Sequence, residues 1–370
     1  MKYQNKPIRI LNIVPNMRAA GIETFIMNVY RNIDRSKIQF DFLVHNKKRE
    51  FYDDEIEELG GKIFRLSFKD DKNIFKYIKD LNTFFKEHKE YKIVHGHMQS
   101  MMPLYLMIAK INNIKVRIAH SHNGSYEKSI KGFILYIFSR FSKYFSSENW
   151  ACSKLAGNYL FGKSNFKVIY NGIDTKKFDY NEKIRINMRK NLKLSDKLVI
   201  LHVGRFEKQK NHKFIIDWYK NFLSKNKNSV LLLAGEGKLE NKIKKYAYKK
   251  GVYDDIRFLG VRKDIDKLMQ VADYFVLPSL YEGLPVVGIE AQYCKLECLF
   301  SNKITNEILV NDHSKFLSIN NNSYVYWTNM ILNGYERKNV NIIDKKKFDI
   351  KNISKNILKE YERLANEEIF

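Results

Sequence analysis

The sequence has few cysteines and no long apolar run. Its 370 residues include 3 Cys and no Cys-x-x-Cys pair, so neither a disulfide framework nor a structural zinc site is predicted. The longest apolar stretches, such as GFILYIF, fall well short of the roughly 18 residues of a membrane-spanning helix. The amino-terminal stretch MKYQNKPIRILNIV has no signal-peptidase cleavage site. We therefore expect no signal peptide and a cytoplasmic chain.

Acidic residues are in the minority. Lys and Arg number 66 against 41 Asp and Glu, which gives a net charge of +25 and predicts an anionic partner. No zinc finger, aromatic ribonucleoprotein signature or basic leucine zipper accompanies the charge, so no nucleic-acid partner is expected. The excess is concentrated in residues 91–170, with 11 Lys or Arg against 2 Asp or Glu. A lysine-rich composition from an AT-rich genome is the plainer explanation of the total.

Short β-branched runs alternate with helix-length segments in two successive series. The first contains IRILNIV, FDFLVH, KIFRL, YKIVHGH, KVRIAHS and FKVIY, and the second LVILHVG, VLLLAG, IRFLG, YFVLP and ECLFS. Nearly continuous apolar strands of this kind are typical of parallel sheets covered by helices on both faces. The sequence therefore predicts an α/β fold with two doubly wound, Rossmann-like domains.

The domain boundary is predicted near Asn171-Gly172, where a strand ends and a charged, apolar-poor segment follows. This gives domains over 1–170 and 171–345, and a C-terminal helix within 346–370 that packs back on the first domain or caps the second. Because open α/β sheets bind ligands at the carboxyl ends of their strands, we expect the active site in a cleft between the domains.

Two cations follow a predicted strand in LHVGRFEKQKNH, which ends at Gly204. Glycine lets the backbone approach a ligand closely, and Arg205 and Lys210 suit a diphosphate whose negative charge increases as a bond to it breaks. A solvated charged loop is the alternative interpretation of the same residues.

The stretch SLYEGLPVVGIEA joins a predicted strand to a predicted helix. Gly283, Leu284 and Pro285 form the turn, and the free N–H groups at the helix start form a cradle for an anion. Glu282 stands before the helix and Glu290 about two turns along it. A carboxylate accepts hydrogen bonds from vicinal hydroxyls, so the pair suits a ligand with two polyol parts. Two ordinary surface glutamates are the alternative.

These motifs resemble those of the GT-B glycosyltransferases of family 4, particularly the bacterial exopolysaccharide and capsule branch. The Glu-x7-Glu element matches at Glu282 and Glu290, and the Gly-Arg-x4-Lys element at Gly204 and Lys210. The segment YNGID matches the family's inter-domain stretch. The resemblance implies a GT-B fold whose two domains face a central cleft.

The family implies a role for each matched residue. Arg205 and Lys210 would bind the donor diphosphate, Glu282 the hydroxyls of the transferred sugar, and Glu290 the nucleotide ribose. The backbone from Phe258 to Val261 would hold the base. The remaining donor contacts are assigned to Gly204, Gly283 and Leu284.

The first half carries two further matches. AAGIET occupies the place of a paired-glycine loop before a helix that faces the donor phosphates and the acceptor, with Ala20 in place of the first glycine and Gly21 left as the residue that closely approaches the donor. His122, in RIAHSHNG, falls where relatives place a histidine near the donor sugar and acceptor, which implies polar contacts there. His120 and His122 alternate along a strand, as do His95 and His97.

No metal and no cofactor are predicted. The histidine pairs lack a nearby Asp or Cys array to complete a metal site. Asp264 and Asp266 form an Asp-x-Asp pair, but their position before LMQVADYFV indicates a helix N-cap and a first-turn acid. Family members use protein cations in place of that metal.

Residues 128–147 are predicted as a helix with an aromatic stripe and basic neighbours. The stripe comprises Phe133, Ile134, Ile137, Phe138, Phe141 and Phe145, and the basic residues are Lys128, Lys131, Arg140 and Lys143. The helix packs on the first sheet, rests on anionic lipid, or does both with different faces. The second interpretation predicts a peripheral protein at the inner face of the plasma membrane.

The resemblance implies a retaining glycosyltransferase of exopolysaccharide or capsule synthesis. It would move a sugar from a nucleotide-diphosphate donor, with a UDP-sugar favoured, to a lipid-linked oligosaccharide. Two alternatives stay open: a UDP-sugar 2-epimerase on the same fold, and a non-catalytic GT-B partner subunit.

Overall fold

The computed structural model describes residues 6–66, 73–125 and 129–367. The chain divides into two compact units by its internal contacts. Unit 1 comprises Met1–Ile173 and Phe348–Phe370, and unit 2 comprises Asp174–Lys347. Each unit contains one parallel sheet, which confirms the prediction of two Rossmann-like α/β domains.

In its described residues, unit 1 contains seven parallel strands. They are β1 (Ile8–Val14), β2 (Ile38–Val44), β3 (Ile63–Arg65), β4 (Ile93–Gly96), β5 (Val116–Ser121), β6 (Glu148–Ala151) and β7 (Lys167–Val168). Their order in the sheet is β3-β2-β1-β4-β5-β6-β7. The strand order therefore reverses between β1 and β4, and such a switch point is where doubly wound sheets bind ligands.

The described helices of unit 1 alternate with these strands along the chain, and most of them bury one face. They are α1 (Gly21–Asn32), α2 (Asp53–Glu58), α3 (Ile74–Glu87), α4 (Met102–Ile111), α5 (Ile130–Ser139), α6 (Lys154–Phe161) and α13 (Ile350–Asn366). Helix α13 buries Ile353, Ile357, Tyr361 and Leu364 in the core that also holds Phe25 of α1. The C-terminal helix thus packs within unit 1.

Unit 2 contains six parallel strands and six helices. The strands are β8 (Leu198–Val203), β9 (Ser229–Ala234), β10 (Ile256–Phe258), β11 (Tyr274–Leu277), β12 (Glu297–Ser301) and β13 (Lys315–Leu317). The helices are α7 (Glu182–Asn191), α8 (His212–Lys225), α9 (Glu240–Lys250), α10 (Ile265–Val271), α11 (Val286–Tyr293) and α12 (Tyr324–Leu332). The sheet order β10-β9-β8-β11-β12-β13 puts the switch point between β8 and β11.

The aromatic segment differs from its prediction as one helix over 128–147. Helix α5 ends at Ser139, and a 3-10 turn follows over Arg140–Tyr144. Lys128 lies outside the described residues. Across the described parts of the chain, every helix is too short or too polar to span a lipid bilayer.

Arg337 joins two helix ends in unit 2. Its guanidinium donates hydrogen bonds to the carbonyls of Met269, Gln270 and Ala272 at the end of α10, and of Cys294 at the end of α11, over 2.5–3.0 Å. No described carboxylate pairs with it, and burial lowers its pKa. The negative ends of two helix dipoles stand in for a counter-ion.

Replacing Arg337 with lysine should lower the stability of unit 2 by about 2–3 kcal/mol, because an ammonium group cannot reach both helix ends and leaves buried carbonyls unsatisfied. The measurement is the urea midpoint of unfolding. Lys338→Ala alters the exposed neighbouring residue and should leave the midpoint unchanged. Equal midpoints for Arg337→Lys and Lys338→Ala would contradict this role.

Candidate active site

The loop after β8 begins at Gly204 and reaches α8 through a 3-10 turn, Lys208–Lys210. A Cβ atom at Gly204 would lie 3.0 Å from His202 Nε2 and 3.1 Å from Lys210 Cδ. Glycine therefore leaves room for the Lys210 side chain to fold against the end of the strand. Arg205 is exposed, and no other described residue forms an ion pair with its guanidinium.

An ion pair and hydrogen bonds join the loop after β8 to the loop after β11. Lys210 Nζ lies 2.6 Å from Glu282 Oε1, and Gln209 Nε2 donates to Glu282 Oε2 at 3.0 Å. The Leu280 N–H donates to the Gln209 carbonyl at 2.8 Å, and Asn211 Nδ2 to the Pro278 carbonyl at 3.2 Å. The two motifs singled out in the sequence therefore meet at the switch point of the sheet. Sequence reasoning missed Gln209 and Asn211, although both lie within the same basic motif.

The Lys210–Glu282 ion pair is largely removed from water. The Lys210 side chain is 15% exposed and that of Glu282 9% exposed. Because each charge is desolvated, removing one partner alone leaves an uncompensated buried charge. The pair is internally neutral, so the positive charge that this loop offers to an anion comes from its exposed cations, Arg205 and Lys208.

A glycine pair missed in the sequence supports the same loop. A Cβ atom at Gly235 would lie 2.3 Å from the Gly204 carbonyl oxygen, and one at Gly237 would lie 2.7 Å from the Phe206 nitrogen. Any larger residue would push the backbone of the cationic loop aside. The sequence contains a signal for this close approach, because a Gly-x-Gly pattern directly follows the apolar strand β9.

Helix α11 begins directly after the Gly283-Leu284-Pro285 turn, and all three of these residues are buried. The first N–H groups of a helix have no acceptor within it, so this end is suited to an anion. Glu290 is half-buried on α11. Burial raises the pKa of its carboxyl to about 7, with Lys177 opposing the shift and Asp266 adding to it.

The two residues of the Asp-x-Asp pair lie at the start of α10. Asp264 occupies the N-cap position, as predicted, although its side chain makes no capping hydrogen bond. Arg262 instead donates two hydrogen bonds to the Asp264 carboxylate, at 2.8 and 2.7 Å. Asp266 lies in the first turn, as predicted, 3.5 Å from Lys177 Nζ.

Phe258 and Val261 lie at the edge of the sheet of unit 2. Phe258 ends β10 and stacks on Tyr253 with 5.7 Å between ring centroids, and Lys244 Nζ lies 5.4 Å from the ring. Val261 is 53% exposed. A role of this backbone in holding the base stays a prediction.

Gly21 is the first residue of α1 in unit 1. A Cβ atom there would meet no described atom within 4 Å, so packing inside the protein does not require glycine. Ala20, at the N-cap, makes no side-chain capping bond. A close approach of ligand to Gly21 stays a prediction.

Four buried histidines cluster at the carboxyl ends of β4 and β5. The centroids of His95 and His97 lie 4.1 Å apart and those of His120 and His122 4.2 Å apart, so each alternating pair shares one side of the sheet, as predicted. His97 Nδ1 lies 2.9 Å from His122 Nε2, and His95 Nε2 lies 3.0 Å from His120 Nδ1. Burial lowers the pKa of all four, that of His122 to about 3, so the rings are neutral.

The cluster also has the composition of a metal site. One ligand atom from each of His95, His97 and His120 lies within 4.8 Å of the others. However, both nitrogens of His95 and both of His97 already take part in hydrogen bonds. A metal ion would have to break these bonds, and the absence of a metal site stays a prediction.

Two family models match the chain in succession. Residues 19–177 match "Glycosyltransferase Family 4", and residues 183–326 match "Glycosyl transferases group 1". The putative glycosyltransferase EpsF of Bacillus subtilis is 34% identical over 309 residues, which covers 81% of this chain and 80% of EpsF. The capsular polysaccharide biosynthesis glycosyltransferase CapH of Staphylococcus aureus is 29% identical, covering 80% of this chain and 81% of CapH.

A solved structure shares the fold. Anabaena Alr3699/HepE, crystallised with UDP and glucose, superposes with a TM-score of 0.79 over 96% of this chain and 99% of that one, at 17% identity. The identity to EpsF and the two successive family models agree with the motifs that meet at the β8–β11 switch point. The chain therefore belongs to glycosyltransferase family 4.

Proposed function

We propose that the protein is a retaining glycosyltransferase that transfers a sugar from a UDP-sugar to a lipid-linked saccharide during exopolysaccharide or capsule synthesis. The observation that carries the proposal is the contact between the motif after β8 and the motif after β11, at the carboxyl ends of these neighbouring strands. Arg205 offers there a cation with no ion-pair partner among the described residues, and Glu282 a carboxylate held by Lys210 and Gln209. A diphosphate beside a polyol requires these groups.

The relatives support the donor and acceptor classes. A protein of Escherichia coli named UDP-Gal:alpha-D-GlcNAc-diphosphoundecaprenol alpha-1,3-galactosyltransferase is 24% identical, covering 93% of this chain and 92% of that protein. Its name gives a UDP-sugar donor and a lipid diphosphate acceptor. The HepE crystal structure contains UDP.

In the proposed reaction the bond between the anomeric carbon and the diphosphate oxygen breaks, and the acceptor oxygen bonds to the same face of that carbon. The acceptor's proton moves to an oxygen of the departing phosphate. Arg205 stabilises the increasing negative charge, and the Lys210 ammonium has donors left for a phosphate while it holds Glu282. Glu282 accepts hydrogen bonds from the sugar and is not assigned as a nucleophile.

Arg205→Ala should lower the turnover rate roughly 100-fold, as expected when a fixed charge contact to a leaving group is lost. The fold should survive, because Arg205 is exposed and has no ion-pair partner among the described residues. Lys210→Ala should be at least as slow, and it should also lose stability because Glu282 stays buried. The measurement is UDP release from a UDP-sugar in the presence of membrane-derived saccharide lipids.

Lys208→Ala is the matched control, since it removes an exposed cation from the same turn. It should turn over at nearly the wild-type rate. Wild-type turnover in Arg205→Ala and Lys210→Ala would overturn the diphosphate assignment.

Glu290 predicts a pH-dependent affinity for the nucleotide. The Glu290 carboxyl has a pKa of about 7, so in the free protein this group is mostly protonated at pH 6 and mostly ionised at pH 8. The ionised form accepts charge-assisted hydrogen bonds from the ribose hydroxyls, which are stronger than those of the protonated acid, so the Kd for UDP should fall by about 5–10-fold from about pH 6 to about pH 8. Calorimetric titration measures this change.

Glu290→Gln separates this effect from titration of the UDP phosphate itself, whose pKa is about 6 by analogy with phosphoryl groups. The variant keeps the shape but cannot ionise, so only the phosphate contribution should persist. The same pH dependence in both proteins would remove Glu290 from the ribose site.

We also propose that unit 1 docks on anionic lipid through an aromatic-basic surface formed by α5 and the following turn. Phe133, Ile134 and Phe141 are 49%, 60% and 48% exposed, so this part of the stripe does not pack on the sheet. Lys131 is exposed beside it, and Lys143 Nζ lies 5.2 Å from the Tyr144 ring centroid. Apolar side chains beside lysines suit a membrane interface.

Two of the predicted members have other roles. Arg140 donates to the Tyr136 hydroxyl at 2.8 Å and is half-buried, so its guanidinium keeps its charge but is held against the helix. Phe145 is half-buried. Among the described basic residues named in the prediction, Lys131 is exposed and Lys143 is half-buried, and these two lysines are the ones to vary.

Lys131→Glu/Lys143→Glu should weaken sedimentation with phosphatidylserine-containing vesicles, because each lysine near anionic lipid contributes on the order of 1 kcal/mol. Wild-type binding should fall between about 0.05 and 0.5 M salt as screening increases. Lys351→Glu/Lys355→Glu on α13 changes the net charge equally and should sediment like wild type. If both double variants bind alike, the lysines of the aromatic-basic surface are ordinary solvated charges.

A further inference from the structure

We propose that Asn12 and His97 are positioning residues that fix the tautomer of His122, so that its Nδ1 atom offers an acceptor to a saccharide hydroxyl. The proposal deepens the proposed function and rests on it for the ligand. The three side chains form one hydrogen-bonded chain from β1, through the residue after β4, to the residue after β5. All three are buried.

Asn12 sets the direction of this chain. Its side-chain amide is flanked by the carbonyl oxygens of Ile10 and Asp41, at 3.5 and 3.4 Å from the amide nitrogen. A carbonyl oxygen only accepts hydrogen bonds, so the amide turns its N–H groups to these two atoms and its Oδ1 to His97. His97 Nε2, 3.3 Å from that oxygen, therefore carries a proton.

His97 passes this constraint to His122. Its ring is buried and neutral, so it carries one proton, and its Nδ1 is left with a bare lone pair. His122 Nε2, 2.9 Å away, must then be the donor. Because His122 is also neutral, its own Nδ1 is the bare nitrogen.

The chemistry of that nitrogen defines what it can bind. His122 Nδ1 is buried, and no described residue is its hydrogen-bond partner. A buried acceptor without a donor is destabilising, and a lone pair accepts from O–H or N–H but repels a phosphate oxygen. A saccharide hydroxyl fits, whereas the donor diphosphate is excluded as its direct partner.

A second series of three hydrogen-bonded side chains provides a matched control. Tyr361 on α13 lies 2.6 Å from His95 Nδ1, and His95 Nε2 lies 3.0 Å from His120 Nδ1. Among the described residues, no hydrogen bond links it to the Asn12 chain. Tyr361→Phe therefore perturbs an equally buried histidine pair without changing the acceptor on Asn12.

The test is a nitrogen–proton correlation spectrum of the full-length protein labelled with nitrogen-15 histidine, which shows which ring nitrogen carries the proton. His122→Gln assigns the signals. We expect His97 and His122 both protonated at Nε2 in the wild type and in Tyr361→Phe, and a mixture of His122 tautomers in Asn12→Leu. A proton on His122 Nδ1 in the wild type overturns the proposal even if Asn12→Leu does not fold.

Turnover provides a second readout. Asn12→Leu should lower kcat by about tenfold, the effect of one hydrogen bond, and leave the Kd for UDP unchanged because the hydrogen-bond partners of Asn12 are not proposed nucleotide contacts. An unchanged His122 tautomer in Asn12→Leu would overturn the proposal. Since the spectrum is recorded without substrate, the predicted tautomers without any sugar transfer would refute the proposed function and not the tautomer assignment.

Discussion

The ion pair between Lys210 and Glu282 is the interaction on which the site of unit 2 depends. It joins the loops after β8 and β11, which are neighbouring strands at the centre of the sheet, so both loops lie at the same carboxyl end. Gln209 occupies the second carboxylate oxygen, so neither loop can shift without breaking a buried contact. With Glu282 neutralised by Lys210, Arg205 is left to meet an anion, and Gly204, Gly235 and Gly237 leave room for the loop that carries it.

Much of the fold was predictable because buried parallel strands are nearly continuous apolar runs. Strands β6 and β13 were missed for physical reasons. Strand β6 begins with Glu148 and Asn149, which are half-buried near one edge of the sheet. Strand β13 has only three residues and lies at an edge of the other sheet. Arg337 was also missed, because its role depends on two helix ends that meet only in the folded chain.

The candidate site was predictable where residue type and spacing reflect chemistry, as at Arg205, Lys210 and Glu282. What the sequence did not predict is the partnership of Lys210 with Glu282, because their contact spans 72 positions and depends on strand order. Likewise the alternation of His120 and His122 predicted a shared side of the sheet. Their hydrogen bonds to His95 and His97 needed the registered pairing of β4 with β5.

We propose that protein cations, without a metal ion, bind a nucleoside diphosphate at the carboxyl ends of β8 and β11. Calorimetric titration with UDP and with UMP, both in excess EDTA, tests this proposal. We predict that UDP binds without metal and more than about tenfold more tightly than UMP, because the second phosphate gains charge-assisted hydrogen bonds from Arg205 and Lys210. Equal affinities, or UDP binding only after Mg²⁺ or Mn²⁺ is restored, would contradict it.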